Sequence, residues 1–600
     1  MKKVSIIASC ALAAALLANT ACNKLEEYNP SSTTAENVFT TVEGYEALVN
    51  QCYSNLRAMC YGREDMMFMG ETGTDIWHAA YDRDYAPQIN KYRGLTSSLG
   101  MVRNVWERFY VPINLCNAAI ERADNAGYTD ENRKNAKAAE AHFVRAFIYW
   151  HIVEWYGNVS LVTKETTAPV LTAYRSPVDD FYKLMFDDLK FALQWLPNNH
   201  AAGENGKATK KAAHGMLARM YLTYASYLKY HAGKDAEAQE YYRLASATAN
   251  EVIAAKATYG VDLYADCEDI FAPENNKNNT EALYVVSHTS NVALEVNSGN
   301  PNRLFQWFQS RYSNKIGMKM SLDYSRDVNN SAYMQPTRYL LELFKEDRDA
   351  RYAATFQEVW LANDSSKLKW TQEQLNWFKK DTNVVRPNSS IGAVGDTALL
   401  YTKKQVDDKR TRKYAVVDID DMYDDDGKMA IYTKISSYQC FPALRKFRDP
   451  NRADANSQAG SNDIILMRLA EMYLIAAEAE FHLELEGDGL SHVNILRNRA
   501  QIPGAPSNTA DAAEIAAAGG HLNFMLDERA RELCGEHLRW FDLKRTKQLE
   551  NRLGAAISNG KGNPNIVDFD KAKHYVRPIP LNFLQNLENE EEFGNNPYYD

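Results

Sequence analysis

Residues 134–155 read KNAKAAEAHFVRAFIYWHIVEW. Phe143, Ala146, Phe147, Trp150, Val153 and Trp155 fall at helical spacing but on more than one side of the helix. An ordinary surface helix carries one apolar stripe, so this pattern predicts a helix packed deep inside the molecule. The sequence around it continues in the same period. Helices are predicted over 42–59, 102–123, 177–195, 208–230 and 235–255, arranged as successive hairpins with 134–155 third in the series. Leu196-Pro197 closes the fourth, and Asp235 is placed to cap the last. Three more are expected late in the chain, over 464–485, 490–500 and 521–548.

Paired helices of this length resemble tetratricopeptide architecture, without its consensus at a fixed period of about 34 residues. The middle of the chain differs. Residues 260–460 carry Asn, Asp, Gly, Ser and Pro clusters between short apolar runs. Strands are predicted at 282–287, 414–419 and 429–435, the last two as a hairpin around Asp424-Asp425-Asp426-Gly427, with a short helix at 336–344. The reading is a mainly α protein with a loop-rich, partly β insertion. One domain covers 36–600, with a helical scaffold over about 36–258 and 461–550 and the insertion over about 259–460. Long irregular stretches of this kind are usually functional.

The N-terminus reads as an address. Lys2 and Lys3 precede an apolar run from Val4 to Ala18, too short to span a bilayer, and small residues lead to Cys22. Residues 1–21 are expected to be a cleaved signal peptide. Asn19-Thr20-Ala21-Cys22 is similar to a bacterial lipobox, with Asn19 where leucine is usual, so Cys22 is the candidate lipidation site. Residues 22–35 are polar and turn-prone, suited to a tether, and include the acidic pair Glu26-Glu27. No later run is apolar enough to cross a membrane.

Composition narrows the function. The chain has 600 residues and a formal charge of −10, which argues against nucleic-acid binding through a basic surface. Its 36 tyrosines, 22 phenylalanines and 10 tryptophans supply flat apolar faces with polar tips. The six cysteines beyond Cys22 form no CxxC and read as buried thiols. GxSxG, GxxxxGK[ST] and HExxH are absent. His142 and His151 lie in the apolar helix and read as hydrogen-bonded core histidines. Glu140 and Arg145, in the same helix, each need a partner. Glu528, Arg529, Glu532, Glu536 and Arg539 are spaced for ion pairing rather than as a catalytic carboxylate pair, because arginines would keep the acids ionised.

A set of motifs runs through the whole chain. They are Trp106…Ile113-Asn114…Asn117, Ala139-Glu140-Ala141…Arg145-Ala146-Phe147…Tyr156-Gly157-Asn158, and Lys207-Ala208-Thr209…Leu217-Ala218-Arg219. Then come Met467-Arg468-Leu469-Ala470-Glu471, Arg497-Asn498-Arg499, Glu528-Arg529…Glu532…Arg539-Trp540-Phe541-Asp542-Leu543-Lys544-Arg545, Pro578-Ile579-Pro580 and Asn595-Asn596-Pro597-Tyr598. In this order they resemble the SusD/RagB family of Bacteroidetes outer-membrane lipoproteins. The resemblance implies a non-catalytic, surface-exposed lipoprotein, anchored in the outer membrane by its N-terminal lipid. It would bind glycan on a loop-rich face and partner a SusC-like TonB-dependent transporter. Peptide binding, as in the RagB branch, and a surface glycosidase are the alternatives.

A sugar binder needs exposed aromatic faces beside planar polar groups. Two segments carry such sets, and the resemblance places both on the ligand face. The first holds Trp77, His78, Tyr81, Arg83, Tyr85, Asn90, Tyr92 and Arg93; the second holds Asn302, Arg303, Phe305, Trp307, Phe308, Arg311 and Tyr312, with Tyr324 beyond. Trp77, Tyr81, Arg83, Tyr85, Trp307, Phe308 and Tyr312 are the expected glycan contacts, with Trp360, Trp370 and Trp377 as a weaker third group. No metal or cofactor is expected. The acidic cluster Asp418–Asp426 reads as a solvated turn, with a Ca²⁺ near Asp424 and Asp426 as the alternative; the EF-hand pattern fails at Met422 and Thr433.

Overall fold

The computed structural model describes residues 35–80, 85–201, 203–291, 302–326, 334–430, 439–554 and 562–599. The signal segment, Cys22 and the tether lie outside them. Helices α1 (Val42–Met59), α2 (Glu64–Glu71), α3 (Gly100–Arg122), α4 (Glu131–Tyr156), α5 (Val178–Trp195), α6 (Lys210–Tyr227) and α7 (Asp235–Ala254) form the first part. The last part holds α8 (Leu469–His482), α9 (Glu486–Arg499), α10 (His521–Leu533) and α11 (Arg539–Arg545). None of the described helices is long and apolar enough to cross a membrane.

Helix α4 is buried along nearly its whole length from Lys137 onward, as its all-round apolar pattern requires. Asp130 caps it by accepting the Asn132 N–H at 2.9 Å, and Gly157 ends it at φ +69°. The charges inside it are paired. Arg145 forks onto Asp188 at 2.8 and 2.9 Å and donates to Asn117 at 2.9 Å, while Glu140 takes the Lys137 ammonium at 3.2 Å. His142 bonds Asp188, and His151 bonds the Tyr61 hydroxyl and the Phe147 carbonyl. His151 is a core histidine, and His142 is half-buried at the edge of the core. The six cysteines from Cys52 to Cys534 are buried thiols.

Three expected elements differ. The apolar run 464–485 is not one helix. Ile464–Arg468 is a strand, and α8 starts only at Leu469. A continuous apolar run has no period to separate strand from helix, and the β-branched Ile464-Ile465 pair was the available signal. The stretch 521–548 is broken between α10 and α11 at Gly535, whose φ is +80° and whose absent Cβ leaves room for Leu444. Asp235 opens α7 as its first residue, with Lys234 at the cap position.

Small sheets gather strands from the insertion and from segments on either side of it. In chain order the strands are β1 (Trp77–Ala79), β2 (Ala282–Val286), β3 (Met334–Pro336), β4 (Phe356–Gln357), β5 (Val359–Leu361), β6 (Thr397–Tyr401), β7 (Ala415–Val417), β8 (Ala443–Leu444) and β9 (Ile464–Arg468). Pairing is β1–β3, β2–β9, β4–β8 and β5–β6–β7. The strand expected at 414–419 is β7, but it runs parallel to β6 rather than in a hairpin. Residues 431–435 of the other expected strand lie outside the described residues, and the Asp424 turn keeps one antiparallel bridge, Tyr423 to Met429.

The β2–β9 pair ties the start of the insertion to the strand that leads into α8. Around β9 lies a buried ionic lattice. Arg468 reaches Glu281 at 2.7 Å, Glu532 at 2.8 Å and Glu536 at 2.8 Å. Arg351 bonds Glu528 at 2.9 Å and Glu532 at 3.1 Å, Arg497 bonds Glu528 at 2.8 Å, and Arg499 joins Glu532. Surrounding guanidinium groups overcome the penalty of burial and hold Glu528 and Glu532 well below the usual carboxylate range. The motif charges therefore link several elements, whereas their spacing had suggested pairs along one helix face.

Burial shifts two acids, Glu140 and Glu71, the other way, and Glu71 the further. Glu71 is fully enclosed, and its Oε1 accepts the His537 N–H at 2.6 Å. Burial pushes its pKa up to about 8. It is then neutral in the fold below that pH, while in the unfolded chain it ionises near its ordinary value, so its contribution to stability falls as pH rises between the two. Glu71→Gln removes this penalty. The variant should match the parent at pH 5 and exceed it by about 1–3 kcal/mol at pH 9 in urea unfolding. A variant no more stable than the parent at pH 9 would show that the carboxyl ionises freely in place.

Candidate functional site

The two sequence segments chosen for their aromatics do converge. Trp77 meets Phe308 with ring centroids 4.7 Å apart, Phe68 meets Tyr85 at 5.5 Å and Trp307 at 6.3 Å. Yet the rings face inward. Trp77 and Tyr312 are fully buried, and Trp307 and Phe308 nearly so. Trp77 lies in β1, paired with β3, which turns its ring onto Phe308 and Phe356. Tyr312 spends its hydroxyl on backbone, donating to the Ser325 carbonyl at 2.5 Å. These four are core side chains and not the exposed stacking platform expected of them. Tyr85 is half-buried, its ring on Phe68; Tyr81 and Arg83 lie outside the described residues. Trp360 and Trp370 are also buried, and Trp377 is half-buried over the Lys315 ammonium.

What this face presents instead is tyrosine and arginine. It is built on the one-turn helix Leu304–Trp307. The Arg303 N–H anchors that turn to the Gly62 carbonyl at 2.9 Å, and Asn302 pairs with Gly460, where a Cβ would collide with the Asn302 carbonyl. Arg326 donates to the Gln306 Oε1 at 3.3 Å. Arg452 stacks on Phe305, its guanidinium 4.3 Å from the ring centre, and holds the Asp449 carbonyl at 3.0 Å. Arg448 bonds the Gln357 side chain. Tyr324 stands edge-on to Tyr312 at 5.6 Å and accepts the Leu361 N–H at 2.8 Å. Burial, then the neighbouring Arg326 charge, lowers the Arg303 pKa. Arg303 and Tyr324 were named from sequence. Arg326, Arg448 and Arg452 were missed, although Arg445-Lys446-Phe447-Arg448 followed by Arg452 is a basic run with an aromatic in it.

A cleft of about 260 Å³ opens elsewhere, between the start of α6 and β2, lined by Lys207, Lys211, Asn276, Lys277, Asn279 and Asp463 among others. Two of its cations are taken, Lys207 by Glu204 and Lys277 by Asp463, and its one aromatic, Tyr284, is buried. It offers a sugar no stacking face. Of the acidic cluster, Asp418 and Asp421 bind Lys409, Asp421 also binds Arg410, and Asp424 accepts the Lys428 N–H. No group of three or more metal-ligating side chains converges among the described residues.

A sequence model of the SusD family matches residues 267–599, and one described as starch-binding and associating with the outer membrane matches residues 14–222. The chain belongs to the SusD family. SusD-like protein P2 of Formosa agariphila is 25% identical over 97% of this chain and 98% of its own. A SusD homologue from Bacteroides thetaiotaomicron superposes with a TM-score of 0.66 at 19% identity, over 94% of this chain and 98% of that one. A laminarin-binding SusD-like protein superposes with a TM-score of 0.60 at 18% identity, over 93% and 99%. These likenesses establish the helical SusD scaffold across nearly the whole chain, in agreement with the resemblance read from the motifs. In this SusD-family chain most of those motifs are structural. Arg219 of the third motif meets Glu471 of the fourth at 2.6 Å, and Arg545 forks onto Glu478 and Asp542. The C-terminal motifs stitch the tail to α4, with the Arg577 N–H on the Trp155 carbonyl at 2.7 Å and Asn596 on the Tyr156 carbonyl at 2.9 Å.

Proposed function

We propose that this protein is a cell-surface lipoprotein, acylated at Cys22, that captures an oligosaccharide or polysaccharide and delivers it to a SusC-like TonB-dependent transporter without covalent chemistry. The observation that carries the reading is the full-length SusD scaffold, whose loop-rich insertion presents half-exposed Tyr324 and Arg303 beside a polar rim. A laminarin-binding structure on the same scaffold supports glycan as the ligand class. The non-catalytic role is supported by the acids themselves. Glu528 and Glu532 are sealed among arginines and stay ionised, and Glu71, which does carry a raised pKa, is enclosed in the core where no substrate reaches it.

The test is affinity electrophoresis and calorimetry of the protein truncated after Cys22 against polysaccharides, oligosaccharides and peptides, with each mixture assayed for released sugars. Binding to one glycan class with no product is the expected result. Peptide binding with silence across the glycans would move the chain to the peptide-capturing role, and sugar release would make it a hydrolase. Mass spectrometry of the protein from membranes should find the acylated Cys22 as the first residue; a free N-terminus elsewhere overturns the anchor.

A further inference from the structure

The ligand face carries an unusual charge arrangement for an acidic protein. Three guanidinium groups converge on one helical turn, each through a different neighbour. Arg303 is the residue that opens the Leu304–Trp307 turn, Arg452 stacks on Phe305, and Arg326 bonds Gln306. Arg303 and Arg326 are half-exposed, and Arg452 is buried. Among the described residues none of the three has a carboxylate within ion-pair distance, whereas Arg468, Arg497 and Arg545 in the scaffold are each paired with acids. Each also keeps a buried N–H without an acceptor: the Nε of Arg303, the Nε of Arg326 and an Nη of Arg452.

The nearby acids offset the set only in part. Asp449 and Asp454 act on Arg452, but the Asp449 carboxylate spends its hydrogen bonds on the backbone N–H groups of Asn451, Ser461 and Asn462. Glu64 lies within electrostatic reach of Arg303 but also of Arg63, which adds a fourth cation to the same face. Crowded cations repel, and a desolvated N–H without a partner is costly. Neutral hydroxyls can accept such N–H groups but leave the repulsion in place. An oxyanion relieves both, and guanidinium groups match carboxylate and sulfate oxygens in a fork geometry.

We propose that Arg303 and Arg326, backed by Arg452, select an acidic glycan, one bearing carboxylate or ester-sulfate groups along its chain. This rests on the glycan-binding reading above and adds to it the charge of the ligand.

The probes are polygalacturonate for carboxylate, dextran sulfate for sulfate, and laminarin and dextran as neutral controls, tested on the protein truncated after Cys22. An acidic polysaccharide should bind and the neutral ones should not, with affinity falling as NaCl is raised. Arg303→Gln and Arg326→Gln should each weaken binding about tenfold, the scale of one lost charge-assisted contact. Both side chains are half-exposed, so thermal melting should stay unchanged. Arg243→Gln, on α7 and paired with Glu240, should bind like the parent. Which acidic probe binds tells carboxylate from sulfate. Tight binding of a neutral glycan, indifferent to both arginines, would overturn the proposal and leave glycan capture standing. Equal loss in Arg243→Gln would reduce the effect to general surface charge and overturn it as well. Peptide binding with no glycan binding would overturn both readings.

Discussion

Glu532→Gln should cost about 3–5 kcal/mol of folding stability, a large share of what holds a typical domain together. The substitution changes almost no volume, so the expected loss is electrostatic. Glu532 is shared by Arg351, Arg468 and Arg499, and Lys446 and Arg468 also hold its backbone carbonyl. A neutral amide leaves three buried cations facing one another, keeps one acceptor oxygen and turns an N–H donor toward the remaining guanidinium contact. The comparison is Asp568→Asn, which removes a surface pair with Arg93 at 2.9 Å and should change stability by less than about 1 kcal/mol. Urea unfolding of both variants checks the contrast. The pH dependence adds a second readout. Glu532 has a depressed pKa in the fold, so its stabilisation is complete above the unfolded-state value and is lost as pH falls through the folded one. The gap between parent and Glu532→Gln should therefore hold constant at neutral pH and close in strong acid. A small loss, or a gap that widens in acid, would show that the carboxylate is not the hub of the lattice.

Trp77→Ala should lose about 3–5 kcal/mol, the range for removing a large buried aromatic. The ring is enclosed by Phe308 and Phe356, and its indole N–H has no partner among the described residues, so the change leaves a cavity without breaking a hydrogen bond to them. Trp77→Phe should keep most of the stability. Were the ring a sugar platform, Trp77→Ala would melt within about 0.5 kcal/mol of the parent and lose ligand instead. Unfolding and binding measured on the same variant separate the two outcomes.

The pair Trp77 and Arg303 marks the limit of sequence reading here. The scaffold was legible because long helices repeat their apolar positions many times: α1 spans the expected 42–59, and the helix read over 134–155 is α4, one to three residues longer at each end. The insertion was legible as a region and as a fold type, but not residue by residue. Its elements are two to six residues long, too short for a period to show which side of the backbone faces the core. An aromatic in such a segment reads the same whether it stacks on a sugar or on Phe308. Arg326 and Arg452 escaped notice for the opposite reason. They are far from Arg303 in sequence, and only the turn at Leu304–Trp307 gathers the three.

The β2–β9 pair has a consequence in time. Val286 meets Ile464 across the whole insertion, and Arg219 of α6 waits for Glu471 of α8. Helical hairpins form early because their contacts are local, while strands joined over so long a loop must wait for the search that closes it. A chain interrupted before Ile464 thus holds an open sheet edge and a guanidinium with no counter-charge, the two features that make a nascent chain stick to its neighbours. Closing that edge and pairing that charge take both ends of the fold, so the first half of the chain cannot do either alone.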